Sequence, residues 1–283
     1  MKKTIPTLAL SIVLLPFLNG CITGMISKMM DSARVPPVAY AIYASDTTEV
    51  KRLLDSSADV INHPWFAGYH APLAFTPNAA MTEWLIAHGA DVNLKLEDGS
   101  TPLTEIASHE TDQAEIIAVM VKHGARVNNA NDKGYKSRSA RIHDIEQSRS
   151  TAGMYGQPGN RTSASYSPSA VVRKGGVDVG EFMLIGKTPL HAAAEAGVAN
   201  NVKALVANGA TVDITDGDDK LTPLHVACIM VNTDAAEALI ALGANINAKN
   251  DDDETPLKLL TKSESTRDKT QLTTYLKAHG ATE

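Results

Sequence analysis

The chain has 283 residues, a formal charge of −6, 43% hydrophobic but only 5% aromatic residues, and two cysteines, Cys21 and Cys228. That length can bury a large core or stack many small units, and the modest acidic charge argues against a nucleic-acid-binding protein. With Cys21 at a processing signal, no intramolecular disulfide is expected.

Lys2 and Lys3 precede an apolar run, Ile5 to Leu18, which is broken by Pro6 and Pro16 and too short for a comfortable membrane span. The run ends in Leu18-Asn19-Gly20-Cys21, which resembles a bacterial lipobox, with Asn19 where a small or apolar residue is usual. The resemblance implies a lipoprotein signal peptide over 1–20 and a lipid anchor on Cys21, the new N-terminus. Ile22, rather than Asp, follows the cysteine, which implies the outer membrane of a Gram-negative bacterium, facing the periplasm. Residues 21–34 form the lipidated N-terminus and tether, at most about 40 Å long. They carry an apolar patch of Met25, Ile26, Met29 and Met30.

From residue 35 one pattern recurs. Its fullest copy is Gly186-Lys187-Thr188-Pro189-Leu190-His191-Ala192-Ala193-Ala194, broken at Gly197 and closed by Asn208-Gly209-Ala210. Thr188 suits a helix N-cap, Pro189 the first helical turn, and Gly209 a left-handed helix stop. Two short helices cannot bury their own apolar faces, so such units must stack. The pattern resembles the ankyrin repeat, and the Thr-Pro-Leu-His tetrapeptide carries the resemblance, repeated at Thr222-Pro223-Leu224-His225. Further openings lie at Pro37-Val38, Ala71-Pro72-Leu73, Thr101-Pro102-Leu103 and Thr255-Pro256-Leu257. Closures at Ser57-Ala58, His88-Gly89-Ala90, His123-Gly124-Ala125, Leu242-Gly243-Ala244 and His279-Gly280-Ala281 complete six units.

The closing glycines Gly209 and Gly243 are 34 positions apart, and Gly89 and Gly124 are 35 apart, whereas Gly124 and Gly209 are 85 apart. The connection from Val127 to Pro189 is 62 residues against 10 from Val92 to Pro102, so one inter-repeat connection has been expanded. The expected fold is an all-α repeat solenoid, an ankyrin-repeat array of helix-turn-helix units with inter-repeat β-turn hairpins and one long insertion. Repeats 1–3 occupy 35–128, an inserted loop and hairpin 129–185, and repeats 4–6 186–283. Gly134 to Ser137 echoes a repeat opening but lacks the leucine, the second helix and the closure. Pro77 should interrupt the first helix of the second repeat.

Candidate chemistry is sparse. In ankyrin repeats the Thr-Pro-Leu-His imidazole bonds within and between repeats, which implies structural roles for His191 and His225. His88, His123 and His279 precede closing glycines, where a cation favours a helix C-terminus. His63, His70, His109 and His143 show no ligand spacing. Cys228 takes an alanine-like place in a repeat helix and reads as a buried thiol. The runs Asp213 to Asp219 and Asp251 to Glu254 fit no calcium loop and read as solvated turns that together form an acidic edge. No metal, cofactor or enzyme constellation is expected.

Two segments depart from the repeat. Trp65, Phe66 and Tyr69 crowd into the first inter-repeat connection, where polar turn residues are expected; they read either as partner anchors, a role that favours aromatic side chains, or as a cover for the exposed end of the array. The insertion holds eight Lys and Arg against five acids, with Ser- and Gly-rich sequence at 147–169. Its candidate contacts are Tyr155, Arg161, Tyr166 and Arg173. The resemblance implies a monomeric protein-binding module. Combined with the lipobox, it points to an immunity protein against a secreted toxin or effector, a type VI secretion phospholipase being one candidate. The alternative is a periplasmic scaffold or stress-protection protein supporting a neighbouring enzyme such as catalase.

Overall fold

The computed structural model describes residues 37–64, 71–96, 99–129, 187–217, 219–263 and 265–283. Among the described residues there are eleven α-helices, two 3-10 helices and no strands. They fall into six pairs. The first is α1 (Pro37–Tyr43) with α2 (Thr47–Ser56), and a 3-10 turn, Ala58–Ile61, follows it. The second pairs a 3-10 turn, Pro72–Phe75, with α3 (Ala79–Ala87). Then come α4 (Pro102–Ala107) with α5 (Ala114–Lys122), and α6 (Pro189–Ala196) with α7 (Ala199–Ala207). The last two pairs are α8 (Pro223–Ile229) with α9 (Thr233–Ala241), and α10 (Pro256–Lys262) with α11 (Thr270–Ala278).

Every first element opens with a proline at its first turn, where the absent N–H costs no helical bond. The second repeat keeps only a 3-10 turn there, because Thr76 is extended (ψ 132°) ahead of Pro77. From the second repeat onward the second helices stop in one way, seen at Asn208-Gly209-Ala210. Gly209 takes φ 94°, its N–H bonds to Val206 O at 3.0 Å, and the Ala210 N–H bonds to Leu205 O at 2.9 Å. That pair of bonds satisfies carbonyls the helix end leaves open, and it needs a residue without a Cβ penalty.

First elements stack on first elements, from α1 through Pro72–Phe75, α4, α6 and α8 to α10. Second helices do likewise from α3 through α5, α7 and α9 to α11. The apolar core runs along the whole stack, with Val38, Leu73, Leu103, Leu190, Leu224 and Leu257, one per repeat, each at most 2% exposed. Small residues let the helices approach: Ala192, Ala193, Ala194, Ala227, Ala235 and Ala236 are all fully buried. Cys228 lies in this layer, and burial pushes its thiol well above its ordinary value.

The third and fourth pairs are direct neighbours, α4 on α6 and α5 on α7, although 57 residues separate 129 from 187 in sequence. Asn128 Nδ2 donates to Gly209 O at 3.0 Å, and the Thr211 N–H donates to Asn128 Oδ1 at 2.9 Å. This leaves no place in the stack for a further repeat between them. The echo at Gly134 to Ser137 lies outside the described residues.

Candidate protein-interaction surface

The Thr-Pro-Leu-His residues spend their polar groups on the stack. Thr188 N–H and Oγ1 meet His191 Nδ1 at 3.3 and 2.9 Å, and His191 Nε2 meets Leu221 O, in the next repeat, at 2.8 Å. A backbone N–H can only donate, so Nδ1 is the acceptor and Nε2 carries the proton given to the carbonyl. His225 repeats the arrangement with Thr222 and with Glu254 O at 3.1 Å. Both imidazoles are fully buried, and burial lowers both below the ordinary histidine value, His191 to about 4. The equivalent residues in the first three repeats are Ala39, Ala74 and Thr104, and in the sixth it is Lys258.

His88 and His279 end their helices differently. Each Nδ1 donates to the carbonyl four residues back at 2.8 Å, and each ring stacks on the aromatic there, Trp84 at 3.7 Å and Tyr275 at 4.1 Å. His123 Nε2 lies 3.8 Å from Glu83, which also bonds Lys122 at 2.8 Å.

What the stack presents outward is set by pairs of positions. In repeat 4 the residue before the capping threonine, Lys187, pairs with Glu195, seven after that threonine, at 2.5 Å. In repeat 6 the same two places hold Glu254 and Lys262, again paired with the signs exchanged, and Lys258 lies 3.6 Å from Glu254. Between them, repeat 5 has Leu221 and Ile229, each 3% exposed. Burial alone would raise the Glu254 carboxyl; the Lys262 hydrogen bond and charge, with Lys258, outweigh it and hold it below its ordinary value.

The aspartate runs are solvated only in part: Asp213 and Asp251 to Asp253 are exposed, as expected, whereas Asp216 and Glu254 are buried. Asp216 is 5% exposed, its Oδ1 accepts the Leu221 N–H at 2.9 Å, and its own N–H bonds to Leu221 O at 3.0 Å. Glu254 is 8% exposed. At the tips, Lys220 pairs with Asp251, Lys249 with Asp253 at 3.2 Å, and the Asp251 N–H donates to Asp219 O at 2.9 Å. Lys220 and Lys249 therefore offset part of the edge's charge, and Lys220–Asp251 with the Asp251–Asp219 backbone bond ties adjacent turns together. Among the described residues no group of three or more His, Cys, Asp or Glu could hold a metal ion, and no helix is long and apolar enough to cross a membrane.

The proposed partner anchors Trp65, Phe66, Tyr69, Tyr155, Arg161, Tyr166 and Arg173 lie outside the described residues, as does Cys21. The sequence reading missed an asparagine ladder. Asn62, Asn93, Asn128 and Asn247 each donate to the closing-glycine carbonyl of the next repeat and accept the N–H two residues further on. The signal was there, since Asn93, Asn128, Asp213 and Asn247 each stand four residues after a closing glycine. Asp213 accepts from the Asn245 N–H at 2.9 Å but has no N–H to give. Two buried asparagines were also missed. Asn201 accepts the Gln113 N–H at 2.7 Å and donates to Thr111 O at 3.1 Å, and Asn232 donates to Ala194 O at 3.0 Å. Among the described residues every buried side-chain nitrogen and oxygen has a partner.

Residues 170–266 match the family model for ankyrin repeats, three copies, about a third of the chain. The match begins inside the stretch assigned from sequence to the insertion and ends in the loop after α10. With the paired, stacked helices outside the match built to the same plan, the fold is an all-α ankyrin-repeat array. Ankyrin repeats are typically non-enzymatic scaffolds that bind other proteins, and this array is a protein-interaction module of that class. No curated protein matches the chain.

Proposed function

We propose that the chain is a lipid-anchored, periplasm-facing immunity protein that neutralises a secreted antibacterial effector by direct binding. The observation that carries the binding role is the closed accounting of buried polar groups. Buried histidines and asparagines bond between repeats and the capping threonines bond within them, so the buried polar chemistry serves the stack and the outward surface is what a partner can meet. The address rests on Leu18-Asn19-Gly20-Cys21 behind its apolar run. An anchored inhibitor suits an effector that attacks phospholipid, since both work at the membrane surface.

The test is co-production. The product of the adjacent gene is directed to the periplasm of a host with and without this chain, and the anchored protein is used to capture it. Rescue of growth together with 1:1 capture supports immunity. A harmless neighbour that copurifies, such as a catalase, supports the scaffold reading instead. Failure of both to bind overturns the proposal.

A further inference from the structure

Two consecutive repeat interfaces each hold one fully buried imidazole that bridges them. His191 bridges repeats 4 and 5, and His225 bridges repeats 5 and 6. Nothing equivalent lies between the earlier repeats among the described residues: His63, His88 and His123 are exposed, and the bridging place holds Ala39, Ala74 or Thr104. The geometry explains why a proton is unwelcome. His191 Nδ1 faces the Thr188 N–H, so an added proton would set donor against donor, and His225 Nδ1 faces the Thr222 N–H at 3.0 Å in the same way.

We infer that the array is divided into an acid-indifferent half, repeats 1–3, and an acid-responsive half, repeats 4–6, whose interfaces loosen when His191 and His225 take up protons. The charged groups around each imidazole set their order. Lys187 and His225 both oppose a charge on His191, whereas Asp213 and Glu254 favour one on His225. His191 is therefore the most resistant while stacked and gains most from exposure.

The direction follows from the two states. Unfolded histidine takes its proton near pH 6.5, and stacked His191 only near 4. Between those values the open state binds more protons. Stability is thus complete above about pH 6.5 and is lost as the pH falls toward 4. At pH 5, His191 alone raises the opening constant about thirtyfold over its value at pH 7.5. Because each repeat contacts only its neighbours, the loss stays in the half that carries the imidazoles.

The experiment is hydrogen exchange read by mass spectrometry on the whole chain at pH 7.5 and pH 5, corrected for the intrinsic pH dependence of exchange. Protection in α6 to α11 should fall by tenfold or more at pH 5, while that in α3 stays within about threefold. His191→Gln with His225→Gln should flatten the pH dependence of the second half. Uniform loss across both halves, or no loss at pH 5, overturns the inference. The wild-type comparison decides the matter even if the double variant does not fold.

Discussion

Asn201 is the sharpest place to test how the two halves of the array are joined. Its side chain is fully buried, and it holds three backbone groups of the preceding repeat: the Gln113 N–H at 2.7 Å, Thr111 O at 3.1 Å and His109 O at 3.4 Å. Asn201→Ala leaves all three without that partner. Thr111 is exposed and can turn to water, so the main penalty is the part-buried Gln113 N–H, with smaller losses at the two carbonyls. The sum is about 2–3 kcal/mol. In a nearest-neighbour stack this falls on one interface and should uncouple the halves. Both tryptophans, Trp65 and Trp84, precede that interface, so fluorescence follows the first half and far-ultraviolet circular dichroism follows the whole. In urea at pH 7.5 the two signals should coincide in the parent and separate in Asn201→Ala. Coincident transitions in the variant, with a loss below about 0.5 kcal/mol, would refute the assignment of Asn201 as the joint.

Gly197→Ala should lower stability by more than about 1 kcal/mol in thermal unfolding. Gly197 takes φ 81°, and a Cβ there would lie 2.8 Å from Asn232 Cγ, displacing the side chain that caps the end of α6. Asn247→Asp keeps the acceptor for the Thr282 N–H but removes the donor to Gly280 O, so it should cost about 0.5–1 kcal/mol and speed amide exchange at 280–282. Cys21→Ser should release the protein from the membrane fraction or leave an uncleaved precursor; equal acyl labelling of variant and parent would count against the anchor. Trp65→Ala, or removal of 147–169, should weaken partner binding by at least about 2 kcal/mol in surface-plasmon kinetics, whereas neutralising Asp251 to Asp253 should mainly slow association at low salt.

The stack itself was readable from the sequence because its determinants are local. A proline at a first turn, a glycine at a left-handed stop and a leucine between them state each helix and its end within one repeat. The polar cross-links were harder to read. Asn128 and Gly209 are 81 positions apart, and Gln113 and Asn201 are 88 apart; nothing near either residue announces the partner. Asp216 and Glu254 misled for a related reason: an acidic run in a turn looks solvated until the backbone N–H of Leu221 or the lysines of α10 fold over it. The exchanged signs at Lys187–Glu195 and Glu254–Lys262 do carry a clue, since opposite charges at matching places in two repeats mark positions that touch. The aromatic and basic residues offered as partner anchors follow no repeat rule, so nothing in the period constrains them.

Asn128 fastens the third repeat to the fourth without reference to what lies between residues 129 and 187. Lengthening a closed connection costs only about 0.6 kcal/mol per doubling, so going from a ten-residue turn to one six times longer costs under about 2 kcal/mol. A lineage can therefore rewrite that stretch, in length and in composition, while the six-repeat frame beneath it stays under separate selection. The joint works as a grafting port. Sequences of related arrays should agree along the stack and diverge most sharply there, and a foreign peptide spliced in at this point should inherit a display platform without having to fold the platform itself.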